Sequence, residues 1–403
     1  MLGFLLPAAL AVAVTPAYAA GGPEDLFRNG HFFGELRYRY EHVDKDGFAM
    51  DARANTLRAD LGFETGLWMD FTALVDFQTV QHIGDDDFDD TENGNTSFPI
   101  IADPDRHQFR QAWIMWTGID GVAVRGGRQE ITYDNQRFVG NVDFRQNDLT
   151  FDAAAVSWSP VSDLTFDYAY IWNINRISGP DYTGHTHLLH GAYEYADWLR
   201  LAAYGYAVDL NQKPLQSSRT FGGQARGEKA VTDDLELGYL IEYASQSDYT
   251  DNPDNFDLRY FHVTPSVFWK DFTLQAGFES FEGNGTDAFQ TPLATLHAFN
   301  GWADLFLTTP AEGLEDRYGR FTYRVSGLGW IDGLAFDVLY HDFDAENTSA
   351  DYGTEWDFQI RKSFETRDFL TKEWNLSAKY AAYEADTFGA DTNKFWLTVG
   401  TKF

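Results

Sequence analysis

The residues of this chain that could do chemistry are mostly basic and recur at every second position of several segments. An arginine guanidinium binds carboxylates, and arginines that ring a narrow passage favour anions. The candidates for such a path are Arg37, Arg39, Arg58, Arg128, Arg137, Arg145, Arg200, Arg226, Arg324, Arg361 and Lys379. Carboxylates such as Glu35, Glu41 and Asp60 alternate in the same way, so these faces carry both signs of charge.

Two interpretations of these basic residues stay open. In the first, they form ion pairs between strands and merely fill a polar interior. In the second, six of them form part of an electropositive constriction that prefers anions: Arg37, Arg39, Arg58, Arg128, Arg137 and Arg145. The face on which Arg128 lies depends on Gly126-Gly127, because a β-bulge there would change the alternation.

An acidic run at 85–92 is the main candidate for metal binding. Such runs are usually solvated loop tips. Carboxylate oxygens also suit Ca²⁺, so Asp85, Asp87 and Asp89 form a weak calcium site candidate, although no EF-hand loop is present. We therefore expect no cofactor apart from a possible calcium ion.

Catalytic patterns are sparse. On a regular strand His185 and His187 share one face while His190 points the other way, which disfavours a three-histidine metal site. The chain contains no Gly-x-Ser-x-Gly elbow and no phosphate-binding loop. We therefore predict that the protein is not an enzyme.

The composition of the 403 residues excludes several classes of protein. Lys and Arg number 30 against 62 Asp and Glu, a net charge of −32, which argues against a nucleic-acid partner. The mean hydropathy of −0.39 is too low for a bundle of transmembrane helices. The absence of cysteine excludes disulfides and thiolate metal sites, and 17% aromatic residues argue against a disordered acidic chain.

The first 19 residues, MLGFLLPAALAVAVTPAYA, predict a signal peptide. A short apolar core ends at Pro16, and Ala17-Tyr18-Ala19 is a small-x-small cleavage site. The alternative is a single membrane anchor, but the apolar core is short for one. We therefore expect an exported protein whose residues 20–403 form one domain.

Period-two alternation covers most of the remaining chain and predicts a β-barrel that spans a membrane. In 31–43, for example, Leu36, Tyr38 and Tyr40 oppose charged residues. Apolar faces that end in aromatic residues suit a lipid-facing wall, and a sheet in lipid must close. The predicted strands are 31–43, 52–66, 67–80, 106–118, 120–130, 149–160, 161–173, 185–196, 197–209, 219–229, 233–247, 258–270, 271–282, 313–326, 332–344, 352–366, 372–386 and 392–403. Long and short connections alternate between these eighteen strands, which predicts extracellular loops and periplasmic turns.

The connection 283–312 is one of the two longest and is unusually apolar for an exposed loop. Its stretch from Pro292 to Thr309 has apolar residues at three- and four-residue spacing, which predicts a helical turn or two. We expect this segment to fold into the barrel mouth and narrow it. The residues assigned to this constriction are Leu296, Phe299, Trp302 and Asp304. A contact with a neighbouring protomer or with lipopolysaccharide is the alternative.

Three segments carry a family resemblance: GRQEITYDNQRFVG at 127–140, RQNDLTFD at 145–152 and FQTPLATLHAFNGWAD at 289–304. They resemble the alginate-export family of outer-membrane barrels, and a last strand ending in Phe403 resembles the recognition strand of such barrels. The resemblance implies an eighteen-stranded barrel in the outer membrane of a Gram-negative bacterium. It also implies an arginine-lined channel that carries an anionic uronate polysaccharide outward.

Two functions remain open at this stage. The first is export of an alginate-like polysaccharide, and the second is a general or substrate-specific diffusion porin for small solutes. Two features depart from a dedicated polysaccharide channel: the loops are short for one, and the net charge is −32. The expected partners are the lipid bilayer, lipopolysaccharide, a polar or anionic carbohydrate and, for export, periplasmic secretion proteins.

Overall fold

The structure, a computed structural model, describes residues 22–366 and 371–403. Within these residues the chain forms eighteen strands, one short helix α1 (Asp25–Arg28) and 3₁₀ turns at Pro214–Gln216, Leu296–Ala298 and Gly329–Ile331. The strands are β1 (His31–Lys45), β2 (Ala52–Glu64), β3 (Phe71–His82), β4 (Arg106–Ile119), β5 (Val122–Gln129), β6 (Thr150–Val161), β7 (Leu164–Asn175), β8 (Tyr182–Ala196), β9 (Leu199–Val208), β10 (Ser218–Ala230), β11 (Leu235–Asp248), β12 (Asp257–Trp269), β13 (Phe272–Phe281), β14 (Leu314–Arg324), β15 (Ala335–Asp344), β16 (Asp351–Glu365), β17 (Glu373–Ala385) and β18 (Thr392–Lys402). Over the same residues, no helix is long and apolar enough to cross a membrane. The predicted signal peptide, residues 1–19, lies outside the described residues.

The strands form one antiparallel sheet that closes on itself. Each strand pairs with its neighbours in the chain, and β1 pairs with both β2 and β18. At this seam Tyr38 lies opposite Leu57 on β2 and Val399 on β18. The last residue, Phe403, exchanges backbone hydrogen bonds of 3.1 and 3.2 Å with Gly34. The predicted fold, an antiparallel β-barrel of eighteen strands, is confirmed.

The two faces of the barrel wall differ as the alternation predicts. Outward side chains are apolar and exposed, for example Leu61 (56%), Ile114 (58%) and Leu274 (57%). Inward side chains such as Asp60 and Glu242 are polar and buried. This arrangement suits a wall that has hydrocarbon outside and polar groups inside.

The connections at the two ends of the barrel differ in length. The described turns at one end are mostly short, whereas the other end carries the long loops 83–105, 130–149 and 282–313. We call these the short-turn end and the long-loop end. Two turns are clearly longer than predicted. The connection 65–70 lies where the predicted strands 52–66 and 67–80 adjoin, and the connection 325–334, predicted as 327–331, contains a 3₁₀ turn.

The largest cluster of buried apolar side chains lies inside the barrel, in the half nearest the long-loop end. There Phe289 and Phe306 of the loop 282–313 pack against the inward-facing Tyr260 and Phe343, with ring centroids 5.6 and 4.5 Å apart. These four rings are almost completely buried. Side chains of this loop therefore occupy part of the lumen in this half.

Candidate functional site

Two long loops meet inside the barrel and together cross its lumen. We call residues 130–149 and 288–306 the interior plug. A parallel β-bridge joins Val139 of the first loop to Leu293 of the second. In the same bridge Gly140 N donates a hydrogen bond of 2.8 Å to Leu293 O. The two loops thus form one hydrogen-bonded unit, whose contacts with the wall decide where a passage can run.

Arg37 and Arg39 on β1 hold the first loop of the plug against the wall. Arg37 donates to Asp143 O over 2.8 Å and to Gln146 Oε1 over 2.9 Å, and Arg39 donates to Phe144 O. Across the described residues, neither guanidinium has a carboxylate oxygen within 4.0 Å. A carbonyl group accepts a hydrogen bond without cancelling the charge of the donor. Both arginines therefore leave a positive field at the plug.

A buried ion-pair network anchors the end of the same loop. Arg58 makes two hydrogen bonds to the carboxylate of Asp148, of 2.8 and 2.7 Å, and one of 2.6 Å to Asp60. Arg110 reaches Asp148 over 3.1 Å and Asp76 over 2.6 Å. Both guanidinium charges are compensated here, as in the interpretation that assigns the basic residues to ion pairs, because two arginines face three carboxylates.

Arg145 and Arg137 also pair with carboxylates. Arg145 Nη1 donates to Glu41 over 3.0 Å, and its Nη2 donates over 3.1 Å to Asp304 of the second loop. Arg137 Nε donates to Glu279 over 2.7 Å. Both arginines are buried, and removing one partner of a buried pair leaves an uncompensated charge. We infer that these two arginines mainly stabilise the plug.

Lys379 on β17 reaches the second loop through His297. Its Nζ donates to His297 Nε2 over 2.7 Å, and His297 Nδ1 donates to Asp304 Oδ1 over 2.7 Å. The imidazole is neutral in this arrangement because a protonated ring has no acceptor nitrogen. Phe144 stacks on it with centroids 3.4 Å apart, and the Trp302 ring lies 3.7 Å from Lys379 Nζ.

Burial and neighbouring charges set the pKa of both titratable groups in this contact. Burial lowers the pKa of His297 well below its usual value; Asp304 opposes this shift and Lys379 adds to it. Burial raises the pKa of the Asp304 carboxyl, but His297 and Lys394 outweigh burial and hold that pKa well below its usual value. At neutral pH the loop therefore carries an ionised Asp304 and a neutral His297.

The remaining basic candidates face the lumen nearer the short-turn end. Arg361 donates to Asp337 over 2.9 Å, and Arg200 pairs with a carboxylate of the plug. Arg226 and Arg324 have no carboxylate oxygen within 4.0 Å among the residues that the structure describes. Between the plug and the short-turn end, the wall therefore carries some cations that pair with carboxylates and others that do not.

A cavity of about 460 Å³ lies between the first loop of the plug and the short-turn end. Its charged and aromatic lining includes Arg125, Arg200, Arg226, Glu130, Asp134, Asp167, Tyr133 and His190. His190 Nε2 lies 2.9 Å from Asp134 Oδ2, so the lining partly neutralises itself. The cavity has room for a small solute and is lined by both charged and apolar side chains.

Arg128 does not join the lumen residues, which corrects the sequence prediction. Arg125 and Gln129 of the same strand line the cavity, and β5 pairs with β6 without a register shift. Arg128 therefore points to the outer face, where its Nε donates to Asp152 over 2.8 Å. No bulge at Gly126-Gly127 reverses the alternation.

The second loop contains less helix than predicted. Of the segment 292–309, only Leu296–Ala298 forms a 3₁₀ turn, and Phe299 leaves it in an extended conformation. Further along, Ala303 N donates to Glu355 on β16 over 2.7 Å. The Glu355 carboxylate thus accepts a hydrogen bond from a backbone N–H group that a second helical turn would have bonded within the helix.

The four residues assigned to a constriction all lie inside the barrel: Leu296, Phe299, Trp302 and Asp304. The Phe299 ring lies 4.7 Å from the guanidinium of Arg137. Trp302 covers Lys379 and Asp304 binds Arg145, as described above. Leu296 is partly buried. The second loop thus contacts Arg137 and Arg145 of the plug and Lys379 of the wall, and these residues form one cluster.

The acidic run of the loop 83–105 is partly buried. Asp87 O accepts a hydrogen bond from Arg53 N, and the Asp89 carboxylate accepts one of 2.7 Å from Thr91 N. In the part of the chain that the structure describes, no three His, Asp or Glu side chains are placed to hold a metal ion. A calcium ion at Asp85, Asp87 and Asp89 stays a prediction.

The histidines of β8 lie on opposite faces, as the alternation predicts. His185 and His187 face outward and lie 2.7 and 2.9 Å from the hydroxyls of Tyr170 and Tyr168. His190 faces the lumen.

Sequence reasoning missed several residues that organise the plug. Asp148 and His297 lie within the segments that carry the family resemblance, so their place in those segments was the available signal. Asn300 binds Arg137 over 2.8 Å, and Glu355 holds a backbone amide. Asn300 lies within the segment 289–304 and the alternation places Glu355 on an inward face, but neither pattern indicates which group the side chain contacts.

A closed barrel with apolar outer faces, a charged interior and loops folded into the lumen defines the class of outer-membrane-type channel barrels. The model of the alginate export family matches residues 30–287. The chain belongs to the alginate export family. The matched part includes β1 to β13 and the first loop of the plug.

Solved structures share the fold at low sequence identity. Acinetobacter baumannii OccAB2 is 16% identical with a TM-score of 0.73, over 94% of this chain and 99% of that one. Pseudomonas aeruginosa OpdK with vanillate is 13% identical with a TM-score of 0.73, over 93% and 99%. Pseudomonas aeruginosa OccD3 (OpdP) is 13% identical with a TM-score of 0.71, over 93% and 91%. Among curated proteins, none matches this sequence significantly.

Proposed function

We propose that this protein is a channel in the outer membrane of a Gram-negative bacterium through which small polar solutes, mainly anions, diffuse. The long-loop end faces the cell exterior and the short-turn end faces the periplasm. The interior plug carries this proposal, because its side chains are buried against the wall in the outer half of the lumen. A small solute needs only a polar gap beside the plug, whereas a polymer needs a continuous wide lumen.

The preference for anions is supported by those cations of the lumen that have no acidic partner among the residues described by the structure. Arg37 and Arg39 lie at the plug, and Arg226 and Arg324 lie below it. In a water-poor passage such charges attract anions and repel cations. No catalytic step and no cofactor enter this proposal.

Export of an alginate-like polysaccharide is the second candidate, and membership of the alginate export family favours it. It would require the plug to leave the lumen and periplasmic partners to deliver the polymer. The bonds between the plug and the wall oppose such a movement, which is why we prefer diffusion of small solutes.

Liposome swelling separates the two functions. Proteoliposomes should swell with monomeric and dimeric uronates and should not swell with long uronate oligomers of the same total concentration. Equal swelling with long oligomers would refute the diffusion proposal and favour polysaccharide transport.

Replacing Arg37 and Arg39 together with glutamine should shift the reversal potential in a salt gradient toward cations. Glutamine can still donate to the carbonyl groups of the loop but carries no charge, so the positive field at the plug is lost. We expect a several-fold fall in the permeability of chloride relative to potassium in planar bilayers. Arg128→Gln is the matched control and should leave selectivity unchanged, because Arg128 lies on the outer face. Wild-type selectivity in the double variant would show that other groups select the ion.

A further inference from the structure

The outer face of β10 to β12 carries two arginines without an acidic partner. Arg219 on β10 and Arg259 on β12 face outward near the long-loop ends of their strands, and both are exposed. In the described chain, neither guanidinium has a carboxylate oxygen within 4.0 Å. Arg317, an outward arginine near the same end of β14, differs because it pairs with Glu315 and Asp344.

The strand register brings the two arginines to one patch. Arg219 lies opposite Ser247 of β11, and Arg259 lies opposite Ser245. Since neighbouring strands are about 4.8 Å apart, the two guanidinium groups flank a pair of serine hydroxyls. Arg219 Nε donates to Ser247 Oγ over 3.0 Å. Asp257 is the acidic residue opposite Ser247, and it does not form an ion pair with either arginine.

Toward the middle of the barrel the same face becomes aromatic and then aliphatic. Phe221, Tyr243 and Phe261 lie next to the arginines and are exposed by 61, 51 and 38%. Ile241 follows on β11 and is also exposed. The order of charged, aromatic and aliphatic side chains matches a lipid leaflet from its headgroups to its hydrocarbon. The arginines thus lie at headgroup level.

We propose that Arg219 and Arg259 bind the phosphate groups of lipopolysaccharide in the outer leaflet. The proposal rests on the proposed function for the orientation of the barrel. A guanidinium binds phosphate through two parallel hydrogen bonds, and the serines between the arginines add hydroxyl donors. The acyl chains would lie along Phe221, Tyr243 and Ile241. Because the chain has a net charge of −32, most of it repels an anionic glycolipid, and a local pair of uncompensated cations lets such a lipid approach.

Native mass spectrometry of the barrel extracted from outer membranes tests this site. Lipid A is titrated against the wild type, the double variant R219Q/R259Q and the matched control R317Q. We expect the double variant to bind lipid A at least about tenfold more weakly, because it loses two charge-assisted contacts. R317Q should bind like the wild type. Equal binding by the double variant and the wild type would overturn the proposal.

Two further ligands identify the chemistry that is recognised. Dephosphorylated lipid A should bind to the wild type as weakly as lipid A binds to the double variant. Phosphatidylglycerol should bind more weakly than lipid A, and equal binding would assign the patch to anionic lipids in general and overturn the assignment to lipopolysaccharide. The conductance of R219Q/R259Q in planar bilayers separates the lipid site from the channel function. A variant that folds and conducts but no longer binds lipid A supports both the lipid site and the channel function.

Discussion

Removing residues 293–306 and joining the ends with a short glycine linker should raise the single-channel conductance several-fold. The deleted segment provides Leu293, Trp302 and Phe306, which fill the lumen, and Asp304, which binds Arg145. Without it the first loop also loses its β-bridge through Val139. Planar-bilayer recordings in a symmetric salt solution measure the change.

Deletion of 47–50 is the control for this experiment. Those residues form the exposed tip of a loop outside the plug, so their removal should leave conductance unchanged. Migration on gels before and after heating shows whether each variant has closed into a barrel. If the folded variant without 293–306 conducts like the wild type, the passage does not run where this segment lies, and the plug does not restrict flow.

Local sequence pattern was sufficient to predict the barrel. The side-chain alternation of a strand has a period of two, and turn residues interrupt it, so strand number and loop lengths can be read locally. The largest differences lie at strand ends: β3 begins at Phe71, whereas the prediction begins at 67, and β8 begins at Tyr182, whereas the prediction begins at 185. There the pairing with neighbouring strands, which local pattern does not contain, decides where a strand ends.

The chemistry of the plug could not be predicted in the same way. Arg37 binds Gln146, a residue 109 positions away, and periodicity carries no information about such contacts. The sequence predicted which cations lie on inward faces, but it did not predict which of them pair with a carboxylate. Arg128 shows the same limit, because its face depended on the backbone at two glycines.

Lowering the pH from 7.5 to 5.0 should release the second loop of the plug and raise the open probability of the channel. His297 is neutral when the loop is docked, and its pKa there lies well below the ordinary value of about 6.5. A released loop exposes the imidazole to water and binds a proton below that value. Because the released state then binds more protons, docking is strongest above pH 6.5 and weakens as the pH falls.

The expected size of this effect follows from the linkage between protonation and docking. Between pH 7.5 and 5.0 the released state gains up to ~2 kcal/mol, about a 30-fold change in the ratio of released to docked loop. Asp304 does not contribute in this range. Its pKa is held well below its usual value, so its stabilising effect is lost only when the pH falls below about 4.

His297→Gln is the variant that isolates this effect. A glutamine amide can donate to Asp304 and accept from Lys379, as the neutral imidazole does, but it does not titrate. The charged groups that face His297, namely Asp304, Lys379 and Arg145, are unchanged in the variant. The open probability of His297→Gln should therefore rise less from pH 7.5 to 5.0 than that of the wild type, and the difference between the two is the contribution of His297. If both respond to pH alike, another titrating group controls the plug, and the neutral His297 is a packing contact only.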